Sequence, residues 1–236
     1  IVENAAEEPE IVDLANYLNK MGAKIRGAGT DTIRIEGVKE LHGAEYTIIP
    51  DRIEAGTYMI AAAMTGGDII VENVLPEHQK PLIAKLREAG ALVEEDIDKV
   101  RVVGKLPLKP VAIKTLPYPG FPTDMQAQLF ALCTIAIGTR VIVENVFENR
   151  FRHAAELGRM GASFTQKDRT AIIRGVERLT GTKVTAWDLR GGAAMVLAGI
   201  AADGETTIEH AELIDRGYEK LHETLNGLGA EIRLEE

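Results

Sequence analysis

Four stretches of this chain are variants of one another, and their spacing limits the fold more than any other feature. IVENAAEEPEIVDLANYLNKMGAKI begins at Ile1 and IVENVLPEHQKPLIAKLREAGALV at Ile70. IVENVFENRFRHAAELGRMGASF begins at Ile142 and TIEHAELIDRGYEKLHETLNGLGAEI at Thr207. Each reads as a strand, a short loop, an amphipathic helix and a second strand. The helices run out at Gly22, Gly90, Gly161 and Gly229, which are 68, 71 and 68 residues apart. Glycine suits these places because the residue that closes a helix commonly adopts positive φ. A recurrence at this period is the signature of a repeat architecture, in which no unit buries its apolar face alone.

A different helix precedes three of these stretches. It lies in PDRIEAGTYMIAAAMTGG, in PTDMQAQLFALCTIAIG and in WDLRGGAAMVLAGIAADG, and begins near Asp51, Asp124 and Asp188. Each run is apolar for about three turns, which predicts a helix buried on all sides. Units end in alternating pairs such as GTDTIRIEG and QKDRTAIIRG, the pattern of a hairpin. The unit is therefore βαβαββ and the fold class α/β (α+β). Residues 46–236 are expected to form one complete domain of three such units. Residues 1–45 hold only the second half of another unit, assigned here to a preceding domain. The expectation is the C-terminal portion of a longer protein; the alternative is a naturally short protein with a ragged start.

Charge and cysteine usage narrow the function. The net charge is −9, which disfavours non-specific nucleic-acid binding because that requires a basic face. It leaves room for small anions, which need only a few placed arginines. No charge-free apolar run is long enough to span a bilayer, so no membrane partner is expected. The one cysteine, Cys133, excludes a disulfide framework and points to a reducing cytoplasm. Cys133 sits inside the run LFALCTIAIG, where burial keeps a thiol inert. The five histidines show no ligand spacing, and no metal site is expected.

By position alone, Asp51, Asp124 and Asp188 read as helix N-caps, whose carboxylates bond free N–H groups. Arg150 and Arg216 stand at the openings of second helices, where a guanidinium and a helix N-terminus can both serve an anion. Arg190 beside Asp188 reads as part of a surface ion pair, and Val146 and Phe147 as apolar residues at the end of a strand.

Four motifs add a family likeness. FPTDMQAQ, VFENRFRHAAELGRMGA, TAWDLRGGAAMVLAG and IDRGYEKLHETLNGLGA together closely resemble the UDP-N-acetylglucosamine enolpyruvyl transferases, also called UDP-N-acetylglucosamine 1-carboxyvinyltransferases, and the likeness runs in order through all 236 residues. It implies two similar domains, each an inside-out α/β barrel of three βαβαββ units, with substrates between them. It also implies transfer of the enolpyruvyl group of phosphoenolpyruvate to the 3-hydroxyl of UDP-N-acetylglucosamine, with release of phosphate and without metal or organic cofactor. That is the first committed step of peptidoglycan synthesis, a cytoplasmic step of cell-wall biogenesis that bears on cell shape, cell cycle and division.

Residue by residue, the resemblance makes Asp124 the general base at the sugar 3-hydroxyl and Asp188 an aid to proton transfer. Arg190 would hold the carboxylate of the intermediate and Arg216 would contact phosphoenolpyruvate. Arg150 would face the cleft, while Phe147 and the main chain of Val146 would line the nucleotide-sugar pocket. The partners implied are these two small molecules and the missing N-terminal domain of the same protein. The family's reactive cysteine falls outside these residues, so the chain alone is expected to be inactive. Two alternatives stand: an enolpyruvyl transferase acting on shikimate 3-phosphate, and a non-catalytic binding module of the same fold.

Overall fold

The computed structural model describes residues 1–235. The chain runs β1 (Val2–Glu3), α1 (Pro9–Lys20), β2 (Lys24–Arg26), β3 (Thr32–Glu36), α2 (Arg52–Thr65), β4 (Asp68–Glu72), α3 (Pro76–Ala89), β5 (Leu92–Glu95) and β6 (Lys99–Val103). It continues through β7 (Ile113–Lys114), α4 (Gln126–Thr134), β8 (Thr139–Val143), α5 (Arg152–Arg159), β9 (Ser163–Lys167) and β10 (Thr170–Arg174). It closes with β11 (Lys183–Thr185), α6 (Leu189–Ile200), β12 (Thr207–Glu209) and α7 (Leu221–Gly227), with 3-10 turns at Thr123–Met125 and Ala211–Arg216.

The three apolar runs are α2, α4 and α6, buried along nearly their whole lengths. They pack on one another at the centre of the molecule. With scarcely a charge among them, no face of these helices gains by meeting water. Amphipathic α3 and α5 lie outside them and turn Leu82, Ile83, Leu86 and Leu157 inward. Four small sheets, ordered β1-β3-β2, β4-β6-β5, β7-β8-β10-β9 and β11-β12, complete the outer layer. One apolar core runs from Ile53 to Leu225 and includes no residue from the first 50.

The repeat read from the sequence is present, with corrections. Gly22, Gly90, Gly161 and Gly229 all take positive φ, between 93° and 103°. Only the middle unit, β7 to β10, shows all six elements of βαβαββ. In the first unit residues 46–49 form no strand, and in the third residues 230–235 form none. A strand exists by pairing, and neither segment has a neighbour to pair with among the described residues. Asn226 instead bonds both the N–H and the carbonyl of Ile232, at 2.7 and 2.8 Å. Asn19 holds Ile25 in the same way, at 2.7 and 2.8 Å, where a paired strand does form.

The copies of IVEN also differ in phase. In β4, Ile69 and Val71 face the core opposite Val102 and Val100, leaving Ile70 and Glu72 outside. Glu72 there meets Lys99 across the ladder at 2.6 Å. In β8 it is Ile142 that is buried, opposite buried Ala171. Because side chains alternate along a strand, a phase change of one residue sends each to the other face. Glu144, the counterpart of Glu72, is consequently 1% exposed. The turn geometry changes with it. Asn4 and Asn73 are left-handed in their copies, whereas in the middle copy the left-handed residue is Asn149.

Candidate active site

Three aspartates occupy equivalent places in the three units, and they divide into two kinds. Asp51 caps α2, accepting from the N–H of Ile53 at 2.7 Å and of Glu54 at 3.2 Å. Asp188 caps α6, accepting from the N–H of Arg190 at 2.9 Å and of Gly191 at 2.8 Å. Asp124 caps nothing. The 3-10 turn Thr123–Met125 draws it inside the first turn of its helix, past the position from which a side chain can reach back to free N–H groups. This overturns the positional reading of Asp124 as a cap.

Asp124 is held instead by two arginines. Arg150 Nη2 donates to its Oδ1 at 2.6 Å. Arg190 Nε and Nη2 donate to its Oδ2 at 3.2 and 3.1 Å. The arginine side chains are 14% and 12% exposed and that of Asp124 39%, so the carboxylate is the part of the cluster nearest solvent. Arg150 comes from the loop after β8 and lies 5.1 Å from the Phe147 ring; Arg190 comes from α6 and lies 5.5 Å from the Tyr218 ring. Both are cation–π distances. Arg190 Nη1 is buried without a hydrogen-bond partner.

Tyr218 extends this cluster into the core. Its hydroxyl lies 2.9 Å from Thr57 Oγ1 of α2 and accepts from Gln128 Nε2 of α4 at 3.1 Å. Arg190 thus rests on a ring that is fixed by both of the other central helices. The chain packs closely here. A Cβ added at Gly217 would stand 2.4 Å from Leu189 Cδ1 and 3.2 Å from Arg190 Nη1.

Two clefts meet at Asp124. One of about 180 Å³ is lined by Glu8, Arg52, Tyr118, Thr123, Asp124 and Val146 among others. The other, of about 520 Å³, is lined by Glu10, Asp13, Tyr17, Ile48, Arg52, Asp124 and Arg190 among others. Both lie between the first half-unit and the main core. Arg52, which Glu10 binds at 2.7 Å, borders both.

The remaining expected residues fall in less simple places. Val146 and Phe147 are largely exposed, not core, and Val146 lines the smaller cleft. Their N–H groups are committed to Glu144 Oε1, both at 2.9 Å, which leaves the carbonyl as the main-chain group of Val146 free of this bond. Arg216 does not open a helix. It ends the 3-10 turn Ala211–Arg216, five residues before α7, so a helix N-terminus lends it no help. It is exposed, and its chain neighbours Gly217 and Tyr218 abut Arg190. Asp188 does not touch Asp124 by a hydrogen bond and is tied to the cluster only through its cap bond to the N–H of Arg190.

Burial shapes the neighbouring titratable groups. It pushes the Cys133 thiol up to about 11, in keeping with a structural role, and holds the His153 imidazole down to about 4. The residues missed from sequence are Glu144, Glu156 and Tyr218. Buried Glu156 accepts from Thr185 N–H at 3.1 Å and Trp187 Nε1 at 3.2 Å, fixing the approach to Asp188. The sequence carried no signal for Glu144, because the same motif recurs with its glutamate exposed.

Residues 1–225 match the family model described as EPSP synthase (3-phosphoshikimate 1-carboxyvinyltransferase). The chain belongs to the EPSP synthase family. Within that family it is 62% identical over 98% of its length to UDP-N-acetylglucosamine 1-carboxyvinyltransferase 1 of Caldanaerobacter subterraneus subsp. tengcongensis, of which it covers 56%. It is 60% identical to the protein of that name from Desulfofundulus thermocisternus, with 93% of this chain and 91% of the relative covered. The chain spans about half the length of most of the curated relatives it matches. Among solved structures, the enolpyruvyl transferase NikO from Streptomyces tendae superposes with a TM-score of 0.87 at 30% identity, covering 98% of this chain and 55% of NikO. EPSP synthase from Acinetobacter baumannii, at 22% identity and a TM-score of 0.72, shares the fold. Among the described residues, no helix is long and apolar enough to cross a membrane.

Proposed function

We propose that this chain supplies half of the catalytic cleft of a UDP-N-acetylglucosamine enolpyruvyl transferase. The reaction joins the enolpyruvyl group of phosphoenolpyruvate to the 3-hydroxyl of the nucleotide sugar and releases phosphate, opening peptidoglycan synthesis in the cytoplasm. The observation that carries the reading is the exception among the three aspartates. Asp51 and Asp188 serve their helices, whereas Asp124 is released from that duty and turned to a cleft between two guanidiniums.

The chemistry follows from the charges. Asp124, Arg150 and Arg190 together carry one net positive charge, on a chain whose net charge is −9. A small anion is drawn to such a spot, and guanidiniums recognise carboxylate and phosphate with paired N–H donors. Arg190 retains an unpartnered nitrogen, and exposed Arg216 follows on the chain that packs against it. An incoming phosphoenolpyruvate would share these arginines and loosen their hold on Asp124. The freed carboxylate would then accept the proton of the sugar hydroxyl as that oxygen bonds to carbon, the work of a general base. Phe147 and the carbonyl of Val146 would border the sugar. Asp188, already bonded to two N–H groups, would act by fixing Arg190.

We also propose that residues 1–45 belong to the partner half of the enzyme and residues 46–236 to one domain. The clefts at Asp124 lie between these two parts, so substrates would bind where they meet.

The test joins this chain to the remaining half of the Caldanaerobacter relative and follows phosphate release from phosphoenolpyruvate with UDP-N-acetylglucosamine. Release that requires both halves and both substrates supports the reading. Asp124→Asn should lower turnover by at least about 10²-fold, with the thermal midpoint little changed. Turnover equal to wild type in that variant would remove Asp124 from the mechanism, and no release from the joined protein would remove the transferase reading.

A further inference from the structure

We propose that Glu144 is a positioning residue of this cleft, fixing the loop that carries Phe147 and Arg150 to the turn that carries Asp124. Four donors converge on its buried carboxylate. Oε1 accepts from Thr115 Oγ1 at 2.7 Å and from the N–H groups of Val146 and Phe147 at 2.9 Å each. Oε2 accepts from Thr123 Oγ1 at 3.0 Å. Thr123 immediately precedes Asp124, and Arg150 follows Phe147 by three residues.

The geometry makes this glutamate a junction. Thr115 is fully buried just beyond β7, and its hydroxyl also accepts from Asn145 N–H at 2.8 Å. One carboxylate therefore ties three segments: the end of β7, the turn before α4 and the loop after β8. The 2.6 Å bond from Arg150 to Asp124 joins the same turn and loop from the cleft side. Without Glu144, no side-chain bond would join that turn directly to the loop except the ion pair, and a ligand that takes Arg150 away would leave Asp124 less firmly placed. With it, the scaffold holds while the arginines exchange partners. A misplacement of about 1 Å at reacting groups can cost about 10²-fold in rate, so such a brace acts on turnover.

The phase change in β8 is what makes the brace possible. The equivalent Glu72 and Glu209 are exposed and pair with Lys99 and Lys183. Only in the middle unit does the strand present this glutamate to the interior, and that is the unit whose aspartate is not a cap. The two departures from the repeat occur at one place and are joined by the bond to Thr123.

The kinetic arm of the test rests on the proposed transferase reaction; a second arm does not. On this chain alone, amide exchange at Val146 and Phe147 reports the brace directly, because both residues are exposed and Glu144 is the acceptor of their N–H groups. Glu144→Ala should raise exchange at both amides by at least about tenfold, whereas Glu144→Gln keeps an acceptor and should retain most of the protection. In the joined protein, Glu144→Ala should lower kcat about 100-fold with KM for both substrates changed less than about threefold. Glu144→Gln should recover kcat to within about tenfold of wild type. Should Glu144→Ala fail to fold, Thr123→Val cuts only the link to Asp124, and about a tenfold loss in kcat is expected. Unchanged exchange at Val146 and Phe147 in a folded Glu144→Ala variant overturns the brace, as does a wild-type kcat in Thr123→Val. A joined wild-type protein with no activity would count against the transferase reading alone, and the exchange arm would still decide on Glu144.

Discussion

His153 shows how burial governs a single side chain beneath the cleft. It is 2% exposed, packs edge-on against Phe130 with ring centroids 5.1 Å apart, and has no partner for Nε2. Burial disfavours its charged form and lowers its pKa from 6.5 to about 4. Between these values the unfolded chain binds a proton that the folded chain refuses. Stability is therefore fully present above pH 6.5 and lost as pH falls toward 4, by about 3 kcal/mol from this group. Denaturant unfolding of wild type and His153→Gln between pH 7.5 and 4 checks this. The wild-type stability should fall more steeply, and parallel curves would contradict it. Cys133 offers a companion test. Its thiol, pushed up to about 11 by burial, should resist iodoacetamide at pH 8 in the folded chain and react once the chain is unfolded.

At the scale of elements, the central helices were legible because their composition allows little else. A run such as RIEAGTYMIAAAMT has almost nothing to place in water, so its burial follows from its residues. The helix-ending glycines were legible because the need for positive φ recurs at a fixed period. What the sequence hid lies where equal residues meet unequal neighbours. Asp51, Asp124 and Asp188 look alike, yet the 3-10 turn at Thr123–Met125 shifts one of them out of capping position. Arg216 was read as opening a helix, but the chain first makes a 3-10 turn there. Glu72 and Glu144 share a motif, and a one-residue change of phase separates their fates. The difference between the aspartates is measurable. Asp51→Ala removes two cap bonds and should cost about 1 kcal/mol, or about 2–4 °C in Tm. Asp124→Ala removes no cap bond and should leave helix α4 as it is, so amide exchange at the start of α4 should stay at the wild-type rate. Faster exchange there would show that Asp124 caps after all.

At the scale of the whole molecule, the core and the clefts divide the chain differently. The apolar core begins at Ile53 and draws on none of the first 50 residues. The clefts at Asp124, by contrast, take one wall from Glu8, Glu10 and Asp13 of that early segment. Few polar contacts fasten the two parts. Glu10 pairs with Arg52, Asp13 accepts from Tyr46 at 2.7 Å, and Glu8 accepts from Tyr118 N–H at 3.3 Å. The one ion pair among them has a half-exposed glutamate and contributes little to stability. A chain beginning at Tyr46 should therefore fold cooperatively, with Tm lowered by less than about 5 °C. A peptide of residues 1–45, whose buried side chains are few, should show no cooperative transition. Calorimetry and far-UV circular dichroism of the two pieces check both statements. A chain from Tyr46 that melts without a transition would mean that the early segment is part of the folding unit, and the cleft would then lie within one domain instead of between two.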